Sequence, residues 1–156
     1  MYKQDNTMLL DDIQKVGCFY LSCINLIEFK TCIKLTVEEV NYYWNLAKTK
    51  NIIDDNNDLL DSAKLMNMIL DNKGNNLRVF EIATEKDYYN PIYYPWVDDN
   101  LKKLDKYYIQ KLKTRGVYGT HFRVITENGN IFDSLPYIYD FDKILYNIVY
   151  VFVSRG

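Results

Sequence analysis

Asp12-Ile13-Gln14-Lys15-Val16-Gly17-Cys18-Phe19-Tyr20-Leu21 is a polar approach, a glycine, and then a cysteine that opens a long apolar segment. From Cys18 onward Phe19, Leu21, Ile24, Leu26, Ile27 and Phe29 follow with no glycine or proline among them. That pattern predicts a largely buried helix with the cysteine at its amino end. A thiol placed there faces unpaired backbone N–H groups and the positive end of the helix dipole, and both favour the nucleophilic thiolate. A plainer alternative stands beside this one, because free cysteine is among the residues most often buried as a small apolar side chain.

A nucleophilic thiol needs a base, and the chain contains one histidine, His121. It lies in Gly119-Thr120-His121-Phe122-Arg123-Val124-Ile125-Thr126, where aromatic and β-branched residues alternate. Asn128-Gly129 and a second short run, Ile131-Phe132-Asp133-Ser134-Leu135, follow it. This is the pattern of a β-hairpin. A histidine near the start of one strand, an acid on the returning strand and a cysteine at a helix start are the components of a thiol hydrolase.

With these residues in view, Gln14, Gly17-Cys18-Phe19, Gly119-Thr120-His121-Phe122 and Asn128-Gly129-Asn130-Ile131-Phe132-Asp133 together resemble the papain-like cysteine peptidases. The layout is most similar to the branch that processes bacteriocins with double-glycine leaders. The whole chain also resembles an uncharacterised bacterial family carried on plasmids and prophages. The resemblance implies Cys18 as nucleophile, His121 as its base, Asp133 as orienter of the imidazole and Gln14 as an oxyanion donor. It further implies a papain-like α+β fold, with amino-terminal helices packed on a carboxyl-terminal antiparallel sheet, and a peptide or protein substrate.

The triad depends on the hairpin register. A two-residue Asn128-Gly129 turn sets Asp133 opposite Val124, on the face away from His121. A three-residue loop, Glu127-Asn128-Gly129 with a left-handed glycine, pairs Asp133 with Arg123 and leaves it diagonal to His121 on one face, roughly 7 Å away at the β-carbons. The second register is the one expected.

Composition narrows the remaining classes. At 156 residues, 48% hydrophobic and 26% charged, residues 1–156 read as one globular domain of ordinary composition. A net charge of −2, with lysines dispersed among acids, offers no footprint for a phosphate backbone, so no nucleic-acid partner is expected. The longest apolar run, Val16 to Phe29, is too short to span a bilayer, and Met8-Leu9-Leu10 is too brief for a signal peptide, so no membrane association and a cytoplasmic location are expected. Cys18, Cys23 and Cys32 share one helical region with poor spacing for a disulfide, as in a reducing compartment. No Cys-x-x-Cys pair accompanies the lone histidine, so neither a zinc site nor any other cofactor is expected. The 15 tyrosines are scattered among asparagines, lysines and isoleucines, as in a compositional bias rather than a stacking platform.

The rest of the chain supplies scaffold. Thr36-Val37-Glu38-Glu39 is a capping box that opens a helix to about Lys50, with Val40, Tyr43, Trp44 and Ala47 as its stripe. The Asn- and Asp-rich segment from Asn51 to Asp58 reads as a solvated loop, since it lacks EF-hand spacing. Asp61-Ser62 caps a third helix that ends before Lys73-Gly74, and Leu77 to Ile82 alternates as a strand. The proline-broken aromatic segment Asp87 to Trp96 reads as a loop, either bordering a cleft or simply packed on the surface. Lys102 to Lys113 carries an amphipathic helical pattern, and Tyr146 to Val153 is a strongly β-prone run. Asp140 and Asp142, two apart before that run, share a face if extended, as paired hydrolytic carboxylates would, or serve as a solvated edge or cap.

Overall fold

The structure, a computed structural model, describes residues 1–85, 104–115, 119–126, 128–129, 131–134 and 141–155. Among the described residues four helices precede a five-stranded sheet: α1 Asp11–Val16, α2 Cys18–Thr31, α3 Val37–Thr49, α4 Ser62–Asn72, then β1 Leu77–Glu85, β2 Tyr107–Thr114, β3 Thr120–Thr126, β4 Ile131–Asp133 and β5 Phe141–Ser154. The strands lie in the order β1-β5-β2-β3-β4, and every neighbouring pair is antiparallel. The α+β class follows. The aromatic segment from Asp87 to Trp96 and the carboxylate of Asp140 lie outside the described residues.

The central element is α2. Every residue from Tyr20 to Glu28 on it is buried, as a helix with apolar side chains all round requires. It packs against α1, α4 and strands β2, β3 and β4, so helices and sheet share one core. Its polar residues are bonded: Ser22 Oγ donates to the Cys18 carbonyl at 2.8 Å, and Glu28 Oε2 accepts from the Leu35 amide at 3.0 Å. Unbonded, such groups would cost about 1–3 kcal/mol each.

Gly17 separates α1 from α2. A β-carbon built on it would stand 2.4 Å from the Ile13 carbonyl oxygen, so only glycine lets the chain turn tightly enough to start a new helix at Cys18. The other predicted helix signals hold. Thr36 Oγ1 accepts from the Glu39 amide while Glu39 Oε1 accepts from the Thr36 amide, each at 3.1 Å. Asp61 caps α4 by accepting from the Lys64 amide at 3.0 Å. Residues 51–58 form turns, closed by a bridge between Ile53 and Leu59.

One predicted element is corrected. The stretch read as an amphipathic helix, Lys102 to Lys113, contributes strand β2, hydrogen-bonded to β5 on one side and β3 on the other. Tyr107, Ile109 and Leu112 are all buried there, although they lie on both faces of the strand. A strand covered on both faces need not alternate, and apolar side chains on both faces then mimic helical spacing. The β-prone run near the carboxyl end behaves as predicted: β5 sits between β1 and β2. Among the described residues no helix is long and apolar enough to cross a membrane.

Candidate active site

Cys18 is the first residue of α2, partly exposed, with Gly17 at the N-cap position. The first-turn amides of a helix have no partner within it. Phe19, next along, stacks on Phe122 of β3 with ring centroids 4.3 Å apart and planes within 6°. This contact brings the first turn of α2 against the start of β3, where His121 lies 2% exposed.

The hairpin adopts the register with Arg123 opposite Asp133, Val124 opposite Phe132 and Ile125 opposite Ile131. Gly129 takes a φ of +83°, as the three-residue loop requires, and donates its N–H to the Thr126 carbonyl at 3.0 Å. Asp133 is thereby diagonal to His121, and its Oδ1 lies 2.6 Å from the imidazole Nε2. The imidazole lines the same cleft as Cys18, whose side chain is near enough to help hold the ring in its charged form.

Burial of His121 disfavours its charged form, but hydrogen bonds to Asp133 and Cys18 and the charges of both outweigh that and raise the pKa to about 9. The ring is therefore an imidazolium across neutral pH. The two other cysteines differ sharply from Cys18. Cys23 is fully buried, and burial pushes its thiol well above the ordinary range, whereas Cys32 is exposed at the left-handed C-cap of α2.

Gln14 is not among the residues that line the cleft with Cys18, and its Nε2 donates to the Leu9 carbonyl at 2.7 Å. A different glutamine reaches the site. Gln4, 7% exposed, lines the same cleft as Cys18 and His121. One N–H of its side-chain amide is taken by the Gln14 carbonyl at 3.1 Å, and the amide carries a second. Gln4 is held in place by its own backbone N–H, which donates to the Ser134 carbonyl at 2.6 Å. Beside it, Lys3 Nζ donates to the Asp133 carbonyl at 2.9 Å, and Tyr2 N–H donates to Asn25 of α2 at 2.7 Å. Residues 2–4 thus strap the cysteine helix to the strand that carries the acid. Sequence reasoning missed Gln4 because its segment has no periodicity; the only signal was a second glutamine upstream of the cysteine.

The cleft over these groups has a volume of about 450 Å³. Its lining includes the aromatic residues Phe19, Phe122, Trp44 and Tyr146 and, from the Asn-rich loop, Asn57, Asp58 and Leu59. Lys48 Nζ pins that loop by donating to Asn57 Oδ1 at 2.6 Å.

Fold and site together define an α+β domain with a Cys-His-Asp cluster at a helix start. The chain belongs to the family of proteins of unknown function DUF261, whose match covers residues 1–145. No curated protein and no solved structure matches it.

Proposed function

We propose that the protein is a thiol hydrolase of papain-like type, a cysteine peptidase or amidase that cleaves peptide or isopeptide bonds through Cys18, His121 and Asp133. The single observation that carries this reading is the His121 ring, 2.6 Å from the Asp133 carboxylate, in one cleft with a cysteine that starts a helix. In the reaction the Cys18 proton rests on His121, and the sulfur attacks the carbonyl carbon to give a tetrahedral oxyanion. The C–N bond then breaks, the imidazolium proton passes to the leaving amine, and a thioester on Cys18 remains. Water, losing a proton to His121, attacks the thioester; the S–C bond breaks and the thiol is restored. Asp133 keeps the imidazole oriented and stabilises its positive charge. The oxyanion is met by first-turn backbone N–H groups of α2 and by the free N–H of Gln4, the role that the family resemblance had assigned to Gln14. Unpaired cysteines accord with a reducing, cytoplasmic setting for this chemistry.

The test is a peptidyl chloromethyl ketone, which alkylates an activated thiol with loss of chloride, followed by intact-mass and peptide mass spectrometry. Wild type gains one adduct, on Cys18, and Cys18→Ser gains none. Adducts on Cys32 alone, or equal labelling of the Cys18→Ser variant, would leave a scaffold without turnover.

A further inference from the structure

Lys111 stands in the cleft on β2, directly opposite Phe122 of β3 on one side and Tyr146 of β5 on the other. Its ammonium lies 5.6 Å from the Phe122 ring centroid and 5.5 Å from that of Tyr146. Two aromatic faces therefore hold the cation in one place. Among the described residues no carboxylate pairs with it. The side chain is half-buried in a cleft that mixes aromatic and polar groups, and an ammonium held against two rings there loses part of the hydration that an anionic ligand would replace. The position is also near the chemistry, because Lys111 lines the same cleft as Cys18 and His121. The cleft's other lysine, Lys15, is exposed on the rim, where water screens it.

Resting on the thiol-hydrolase reading, we infer that Lys111 selects a substrate carrying a carboxylate within about two residues of the bond that Cys18 attacks. The carboxylate belongs either to an Asp or Glu side chain or to a nearby chain terminus; both present the same charge to the ammonium. Lys111 is thus a specificity-determining residue, and Phe122 and Tyr146 hold it in position.

The experiment is digestion of a chymotryptic peptide library, in which acidic and basic residues stay internal, by the full chain, with every cut site read by mass spectrometry. Wild type is expected to enrich Asp or Glu at least fivefold at one position within two residues of the cut, or to cut within two residues of the peptide end. The first result assigns the carboxylate to a side chain and the second to the terminus. Lys111→Met should bring either enrichment to unity while cutting continues, Lys111→Arg should preserve it, and Lys111→Glu should favour Lys or Arg at that position. Cutting without either enrichment, or enrichment unchanged in Lys111→Met, overturns the role of Lys111 and leaves the hydrolase standing. No cutting above that of Cys18→Ser overturns both.

Discussion

His121 is charged in the folded chain because its interactions with Asp133 and Cys18 outweigh its burial, and that balance is measurable as stability. Its folded pKa, about 9, lies above the ordinary value of about 6.5, so the stabilisation is fully present below pH ~6.5 and is lost as pH rises through ~9. The gap in unfolding free energy between wild type and Asp133→Asn should therefore shrink, by on the order of 2 kcal/mol, between pH 6 and pH 9.5 in urea titrations. A gap that stays constant across that range would contradict the coupling. The two glutamines provide a second contrast. Gln4→Ala should slow labelling of Cys18 by a peptidyl chloromethyl ketone on the order of 10²-fold, the usual effect of removing an oxyanion donor, while Gln14→Ala stays within a few-fold. Equal losses, or the reverse order, would return the role to Gln14. Cys18, His121 and Asp133 were legible in sequence because each carries a local signal: an apolar run after glycine, an alternating strand and a hairpin loop. Gln4 was not, since its place is set by contacts with Ser134 and Gln14 that no local pattern encodes.

Elements with strong termini were equally legible. The capping box at Thr36 and the Asp61 cap mark where α3 and α4 begin, because those side chains satisfy amides that the helix leaves open. Thr36→Ala should lower stability by about 1 kcal/mol in chemical denaturation without changing the labelling of Cys18, since α3 supports the core rather than the triad. A loss of labelling in that variant would tie α3 to the site. Strand β2 was the element misread. Its helical spacing is real, yet Tyr107, Ile109 and Leu112 are spaced by burial on both faces of an inner strand, which tertiary packing and not local sequence imposes. That misreading had a functional cost, because Lys111, on a strand and facing two rings, reads on a helix as one more solvated lysine.

Across the whole molecule, the fold joins an early helix start to a late hairpin. The stack of Phe19 on Phe122 fixes one side of that junction, and the strap of residues 2–4 across α2 and β4 fixes the other. Sequence order alone made the helices-then-sheet arrangement readable, whereas the strap depends on hydrogen bonds to Asn25, Asp133 and Ser134, partners too far along the chain for a local pattern to show. The junction is what makes one of three cysteines different from the others, and iodoacetamide at pH 6 reads that difference, because ordinary thiols with pKa about 8.5 are almost wholly protonated there. The account predicts that Cys18 is alkylated at least ~10-fold faster than the exposed Cys32, that buried Cys23 is spared, and that His121→Ala abolishes the preference. Alkylation of Cys32 as fast as Cys18, or a preference for Cys18 that survives His121→Ala, would contradict it.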